Sequence, residues 1–245
     1  MGIPGLVAST EKGAGEKNEA PALFVTAESL PAMTEKWLKQ IEPYNQHRNV
    51  PVRKDKVALL VIDMQNLFFD PKSPQFTPGG PAILPNVKRL ISAFREAGRP
   101  VIYTAQVQSP NKDDWGILYW WWGGVPIKGT YETAFIEEIQ PAENEKVIYK
   151  HRYSAFYNTD LEIVLRNQDI EDVVICGVMT NLCCESTARD AFFRDYRVFF
   201  PVDGNGSINE EMHLGSLRTL SFAFAVANTV DDIIRQMKGE EISVK

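Results

Sequence analysis

Short, mainly apolar runs recur along the chain and alternate with longer segments whose apolar residues follow helical spacing. The short runs predict strands at residues 57–62, 100–105, 146–150, 173–177, 197–202 and 222–228. The longer segments predict helices at residues 82–98, 130–139, 159–167, 182–194, 210–220 and 230–237. Apolar strands that alternate with helices are typical of parallel sheets covered on both faces. We therefore predict an α/β protein with three α/β/α layers around a six-stranded parallel sheet.

The first 55 residues do not follow this alternation. They predict a flexible arm at residues 1–22, a short edge strand at 23–26, and a short helix at 33–40 with Trp37 facing inward. The sequence contains neither an internal repeat nor a second apolar core. We therefore divide the chain into an N-terminal arm and approach segment, residues 1–55, and one α/β domain, residues 56–245.

Composition narrows the class of protein. The 245 residues are 44% hydrophobic, enough for a single domain with a sizeable core. A net charge of −6 disfavours nucleic acid and anionic membranes as partners. Three cysteines, an odd number, favour a reducing compartment, and no apolar run approaches the ~20 residues of a membrane span. We expect a cytoplasmic protein that acts on a small molecule. Neither glycine-rich nucleotide-binding motif is present, so we expect no cofactor.

Three reactive side chains follow predicted strands. Asp63 comes directly after the first strand, Lys150 ends the third, and Cys183 lies just beyond the fourth. The carboxyl ends of parallel strands meet at one edge of a sheet, so we expect these side chains to converge. A carboxylate can take the proton of a thiol, and an ammonium favours the charged forms of both. Cys183 is also predicted to lie in the first turn of a helix, where the dipole favours a thiolate.

Each of these residues also has an ordinary structural explanation. Asp63 could cap a loop, and Lys150 could be a solvated charge at a strand end. Cys183 and its neighbour Cys184 could be small buried apolar side chains. Taken singly, the structural explanation is favoured for Asp63 and Lys150. The joint pattern favours chemistry, because both residues end strands that are otherwise apolar.

The three histidines do not offer a better base. His47 lies in the N-terminal approach segment, and His213 lies in a late predicted helix. His151 follows Lys150 directly, and successive side chains of a strand face opposite ways. If Lys150 faces the crevice, His151 faces away from it. A Cys/His pair is therefore poorly supported.

Three short motifs occur in order at the ends of these strands. They are LVIDMQ at residues 60–65, KHRYSAF at 150–156 and GVMTNLC at 177–183. With these motifs the chain resembles the isochorismatase-like, or cysteine hydrolase, superfamily from about residue 57 to residue 237. The resemblance implies a Rossmann-like fold and hydrolase activity.

The resemblance also implies roles for individual residues. It assigns Asp63 as general base, Lys150 as electrostatic partner and Cys183 as nucleophile. It implies a non-proline cis peptide bond between Val178 and Met179. The backbone N–H groups of Met179 and Cys183 would then form an oxyanion hole. Cys184 takes a position that is usually apolar in the family, so we interpret it as packing.

The sequence gives mixed signals about the branch of the family. Residues 103–106 and 152–156 look most like true isochorismatases, which cleave a vinyl ether by protonation from the aspartate. Those enzymes carry a small residue where this chain has Cys183. Their substrate-carboxylate arginine aligns with Trp115, and an indole cannot pair with a carboxylate. Both changes favour hydrolysis of an amide or ureido C–N bond through a Cys thioester.

Two alternatives stay open. The chain could be a vinyl-ether hydrolase that uses Asp63 as acid, or a catalytically inactive protein of the same fold that serves as an interaction module. The presence of all three reactive residues argues against the second. The resemblance also leads us to expect Gln106, Trp115 and Tyr157 to contact the substrate.

The nicotinamidase branch of the family binds a metal through one Asp and two His after the second strand. Residues 105–115 of this chain contain no histidine, so we predict no metal site. The aromatic segment 106–129 is predicted to be irregular and contains Trp120, Trp121 and Trp122. It could cover the pocket or form a contact in a homo-oligomer, a dimer or tetramer.

Overall fold

A computed structural model describes residues 23–240, which surround one parallel β-sheet. The strands are Val57–Ile62 (β1), Val101–Gln106 (β2), Lys146–Lys150 (β3), Asp172–Val178 (β4), Arg197–Pro201 (β5), Asn205–Gly206 (β6) and Val226–Asn228 (β7). The α-helices are Leu30–Ile41 (α1), Asn66–Phe69 (α2), Gly80–Glu96 (α3), Gly116–Trp122 (α4), Leu161–Asn167 (α5), Glu185–Phe192 (α6), Glu210–Ala223 (α7) and Val230–Met237 (α8).

The sheet has the strand order β3-β2-β1-β4-β5-β7, with β6 paired to β4. Every strand pair is parallel. Helix α3 packs on β1 and β4 and against α8, while α6 packs on β5 and against α7. The predicted α/β fold with a helix-covered parallel sheet is confirmed. Its strand number was one too low, because β6 is a two-residue Asn-Gly strand without an apolar run.

The central strands are apolar because both faces of the sheet are covered. Every residue of β1, β2 and β4 is buried. The register pairs Ile62 with Gly177 and Gln106 with Lys150, so β1 to β4 end at one edge. A Cβ at Gly177 would lie 2.1 Å from the Ile62 carbonyl oxygen, and Gly177 has a φ of 125°. Only glycine allows β4 to pass the end of β1 this closely.

Several predicted elements differ from the structure. The edge strand predicted at residues 23–26 is absent. The last strand begins at Val226, because α7 continues through Ala223 over residues whose apolar pattern also suits a strand. The helix predicted at 182–194 begins instead as a π-helical turn, Thr180–Cys184, and becomes α-helical at Glu185.

Two predictions for the region between β2 and β3 also need correction. The segment 106–129 contains helix α4, whose run of large aromatic side chains the pattern did not identify as helical. The helix predicted at 130–139 consists of two short 3₁₀ turns, Tyr131–Thr133 and Glu137–Ile139.

Helix α1 joins the same core as the strands. It contains the predicted helix at 33–40, and Trp37 faces inward as predicted, with 1% exposure. Its last residue, Ile41, is fully buried. The predicted arm at residues 1–22 lies outside the described residues. Within residues 23–240, no helix combines the length and apolarity that crossing a membrane requires.

Candidate active site

Asp63 lies directly after β1, at the edge of the sheet where β1 to β4 end. Its side chain is fully buried, and its φ of 48° turns the chain away from the strand. The Thr104 hydroxyl, on the neighbouring strand β2, donates a 2.6 Å hydrogen bond to Asp63 Oδ1. The Asp63 backbone N–H donates to the same hydroxyl at 3.1 Å. Thr104 therefore fixes the orientation of the carboxylate, and the sequence analysis missed it although it is a polar residue in an apolar strand.

Lys150 ends β3 and is also fully buried. Its Nζ lies 2.7 Å from Asp63 Oδ2 and donates to Cys183 Sγ at 3.3 Å and to Gln106 Oε1 at 2.8 Å. Burial lowers the pKa of this lysine, but the Asp63 carboxylate and the contact with Cys183 Sγ raise it more, so the net pKa lies above its usual value. Lys150 therefore stays protonated and carries a positive charge at neutral pH.

Cys183 lies in the π-helical turn that links β4 to α6. The N–H groups of Leu182 and Cys184 both donate to the Met179 carbonyl, which closes the turn around the cysteine. Cys183 therefore precedes the N-terminus of the α-helix instead of lying in its first turn.

The thiol of Cys183 is protonated at rest. Burial raises its pKa to about 12, with a further rise from the Asp63 carboxylate and an opposing effect of the Lys150 ammonium. The raised pKa opposes the thiolate that the helix dipole and Lys150 were expected to favour. Burial outweighs the cation, and the helix that was expected to favour the charge begins two residues later, at Glu185.

The structure brings Asp63, Lys150 and Cys183 together as predicted from their places at strand ends. The Asp63 and Cys183 side chains contact the same ammonium at 2.7 and 3.3 Å, so their separation cannot exceed the sum of these distances. Asp63 Oδ2 makes an ion-pair contact with Lys150 and accepts no hydrogen bond of good geometry from any described residue. This oxygen is free to accept a proton from the thiol.

A cavity of about 410 Å³ opens above the thiol. Cys183 lines it, whereas Asp63 and Lys150 lie behind Cys183 without solvent exposure. Met179 lines the same cavity, and the peptide bond between Val178 and Met179 is cis, as expected. Met179 and Cys183 both line the cavity, and an oxyanion hole formed by their backbone N–H groups stays a prediction.

Only one of the three expected substrate contacts lines the cavity. Gln106 does so, while its Oε1 accepts a hydrogen bond from Lys150. Trp115 lies at the start of α4 and donates through Nε1 to the Ser109 carbonyl, and Tyr157 is 54% exposed away from the cavity. Both expectations came from the family resemblance, and the resemblance does not determine how α4 turns the aromatic segment that contains Trp115.

The tryptophans of α4 divide between two surroundings. Trp122 lines the cavity and donates through Nε1 to the Tyr153 hydroxyl at 2.9 Å. Trp120 and Trp121 are exposed by 72% and 61%. Trp122 therefore acts as a wall of the pocket, and a homo-oligomer contact through Trp120 and Trp121 stays a prediction.

A nicotinamidase-type metal site does not fit this chain. After β2, Asp114 accepts hydrogen bonds from the Ser109 N–H, and residues 105–115 contain no histidine. The one histidine in contact with Asp114 among the described residues is His151, whose Nδ1 lies 3.3 Å from Asp114 Oδ2. His151 faces away from the crevice, as expected, with Nδ1 2.6 Å from the Val107 carbonyl oxygen. Across residues 23–240, no group of three His, Cys, Asp or Glu side chains is arranged to hold a metal ion. No catalytic step is therefore assigned to a metal.

A thiol that lines a cavity at the carboxyl edge of a parallel α/β/α sheet, with a carboxylate and an ammonium directly behind it, is an arrangement suited to a hydrolase. The family model for the Isochorismatase domain matches residues 57–232. The chain therefore belongs to the isochorismatase family.

Its relatives cover more than one activity. The chain is 39% identical over 184 residues to Nicotinamidase 3 of Arabidopsis thaliana, across 74% of this chain and 89% of that protein. It is 32% identical over 206 residues to Isochorismatase of Bacillus subtilis (strain 168), across 83% of this chain and 64% of that protein. Among solved structures, it resembles a cysteine hydrolase from Pseudomonas syringae pv. phaseolicola 1448A with a TM-score of 0.74. That match has 27% identity and covers 77% of this chain and 95% of the other.

Proposed function

We propose that this hydrolase cleaves the C–N bond of a small amide or ureido compound through a thioester on Cys183. The observation that carries the proposal is the position of the Cys183 thiol, which lines the cavity and lies 3.3 Å from Lys150 Nζ. The Asp63 carboxylate touches the same ammonium from the other side. Nucleophile, acid–base group and cation therefore meet at one point. The relative named Nicotinamidase 3 further supports amide cleavage.

In the first half of the proposed reaction, Cys183 Sγ attacks the substrate carbonyl carbon and its proton moves to Asp63 Oδ2. The backbone N–H groups of Met179 and Cys183 stabilise the tetrahedral oxyanion. Asp63 then passes the proton to the leaving nitrogen, and the C–N bond breaks to leave a thioester. In the second half, Asp63 takes a proton from water, which attacks the thioester, and the thiol leaves with that proton.

The high pKa of the Cys183 thiol shapes the first step. Since burial raises that pKa to about 12, a free thiolate is scarce at neutral pH. Proton transfer to Asp63 therefore accompanies formation of the C–S bond. Lys150 stays protonated throughout and stabilises the negative charge as it moves among carboxylate, sulfur and oxyanion.

Vinyl-ether cleavage is the second candidate function. The relative named Isochorismatase favours it, and Asp63 could supply the proton. In that reaction the thiol of Cys183 has no covalent role. A catalytically inactive protein is a weaker alternative, since the buried contacts among Asp63, Lys150 and Cys183 would have no evident purpose in one.

A substrate panel tests the proposal. Wild-type protein is assayed with small carboxamides, ureido compounds and isochorismate, beside Cys183→Ala and, as matched control, Cys184→Ala. We expect turnover of an amide or ureido compound that Cys183→Ala loses by orders of magnitude and Cys184→Ala nearly retains. Full activity of Cys183→Ala on isochorismate would instead establish ether cleavage through Asp63.

A further inference from the structure

The cavity above Cys183 has uncharged walls. Within residues 23–240, none of the residues that line it is Asp, Glu, Lys, Arg or His. Its polar side chains, besides the thiol, are Gln75, Gln106 and Tyr153. Most of the remaining wall is apolar, with aromatic rings from Phe68, Phe76 and Trp122 among the lining residues. Such a wall suits an uncharged, planar ligand.

The ammonium of Lys150, next to the thiol, has no N–H group left to donate to a substrate. Lys150 Nζ lies within 2.7 to 3.3 Å of Asp63 Oδ2, Gln106 Oε1, the Arg152 carbonyl and Cys183 Sγ. An ammonium has three N–H donors, so these four contacts exhaust it. It is also fully buried behind Cys183. A substrate carboxylate therefore cannot pair with Lys150.

The guanidinium of Arg152, two residues after Lys150, lies outside the cavity. Arg152 donates through Nη1 to the carbonyl oxygens of Asp114 and His151. Its Nη2 occupies the space where a side chain at position 116 would start, since a Cβ on Gly116 would lie 2.3 Å from that atom. Arg152 thus supports the start of α4 and is not among the residues that line the cavity.

These observations bear on the charge of the substrate. A carboxylate in this cavity would lose hydration without gaining a cationic partner from the described residues, which makes its binding unfavourable. The Asp63 carboxylate behind Cys183 would also repel it. An uncharged amide avoids both penalties, and the proposed reaction needs only its carbonyl group and its leaving nitrogen near the thiol.

We infer that the site takes an uncharged amide with an apolar or aromatic acyl group, and that it rejects substrates bearing a carboxylate, including the dicarboxylate isochorismate. This inference rests on the proposed C–N hydrolysis and adds to it the class of substrate. The cavity of about 410 Å³ is within the usual range for small-molecule sites and admits a substituted benzene ring.

A matched pair of compounds tests the inference. Terephthalamide and its half-acid, 4-carbamoylbenzoate, have nearly the same shape and differ by one carboxylate. We expect kcat/KM of the wild-type protein to be at least about 100-fold higher for terephthalamide. Binding of both compounds to Cys183→Ala, measured by calorimetry, separates affinity from chemistry. There we expect terephthalamide to bind at least about 30-fold more tightly.

The outcomes separate the inference from the proposed function. If terephthalamide binds selectively to Cys183→Ala but the wild-type protein hydrolyses neither compound, the proposed hydrolysis fails and the charge selectivity stands. Equal or tighter binding of the half-acid overturns the inference whatever the turnover. Failure of both compounds to bind at millimolar concentration also overturns it, because the cavity would then not accept an aromatic amide.

Discussion

The two ends of the same sheet each bury a carboxylate beside a cation, yet they differ in what those carboxylates can do. Asp63 follows the carboxyl end of β1 and faces Lys150, whereas Asp172 begins β4 at the opposite end and faces Arg197. Both carboxylates are completely shielded from solvent. Burial and ion pairing alone therefore do not distinguish a candidate catalytic group from a structural one.

The hydrogen bonds of the carboxylates make the distinction. Arg197 donates to both oxygens of Asp172, at 2.7 and 2.5 Å, and the Arg53 backbone N–H donates to Oδ2 at 2.6 Å. Asp172 has no oxygen left without a donor, and it ties β5 and the approach to β1 onto β4. Asp63 has one oxygen satisfied by Thr104 and one held only in an ion-pair contact. Asp63 therefore differs from Asp172 in having an oxygen, Oδ2, that can still accept the proton of the nearby thiol.

Substitution of Asp63, at the carboxyl end of β1, should give the largest effect on turnover. Asp63→Asn keeps the shape of the side chain but cannot take the thiol proton, so we expect kcat to fall by roughly 10³-fold or more. Asp63→Asn also leaves the buried Lys150 ammonium without its carboxylate, so the variant should be less stable, and kcat is compared at temperatures where circular dichroism shows it folded. Near-normal turnover of Asp63→Asn would show that the carboxylate is not the proton acceptor.

Substitution at the end that holds Asp172 should lower stability while leaving turnover nearly unchanged. Asp172→Asn leaves the Arg197 guanidinium without its carboxylate, and we expect a loss on the order of 3 kcal/mol in the free energy of unfolding. This is the low end of the range for broken buried pairs, because Arg197 is 29% exposed. Denaturant unfolding gives the value. At temperatures where the variant is folded, kcat should stay within a few-fold of wild type, and a loss comparable to that of Asp63→Asn would remove the contrast between the two ends.

The pH dependence of alkylation tests whether the thiol keeps its proton at rest. A pKa raised by burial to about 12 means that the thiolate fraction, and the rate of reaction of Cys183 with iodoacetamide, should rise about tenfold per pH unit between pH 6 and 9. Cys176 and Cys184 are fully buried and should react more slowly. Cys183→Ala is the control that removes the label. A rate that levels off near pH 7 would instead indicate a preformed thiolate.

The smallest effect is expected at the neighbouring cysteine. Cys184 is fully buried, and burial raises the pKa of its thiol well above the usual value. Cys184→Ala should cost about 1 kcal/mol in stability, since it removes a small buried group. Its kcat/KM should stay within about threefold of wild type, because Cys184 does not line the cavity. A loss above tenfold in a folded variant would give Cys184 a part in the chemistry.

The sequence predicted those parts of the site that depend on strand ends. Apolar runs identify β1 and β4, and parallel pairing places Asp63, Lys150 and Cys183 at one edge. Thr104 could have been found as well, since a polar residue in the strand beside β1 needs a partner.

Other features depend on contacts that no local pattern contains. The pKa of Cys183 depends on burial by a cavity wall assembled from distant segments, including Phe68, Trp122 and Tyr153. The path of α4 decides that Trp122, and not Trp115, lines this cavity. Strand β6 was not predicted because a strand of two residues is too short to show a pattern of apolar and polar positions.

Trapping of the covalent intermediate tests the central claim most directly. The wild-type protein is mixed with an amide that it hydrolyses, quenched in acid within the first turnover, and analysed by mass spectrometry of the intact chain and its peptides. We predict a mass increase equal to the acyl group, located on the peptide that contains Cys183 and absent from Cys183→Ala. Turnover of the amide with no acyl group on Cys183 at any quench time, together with an active Cys183→Ala variant, would contradict the thioester mechanism.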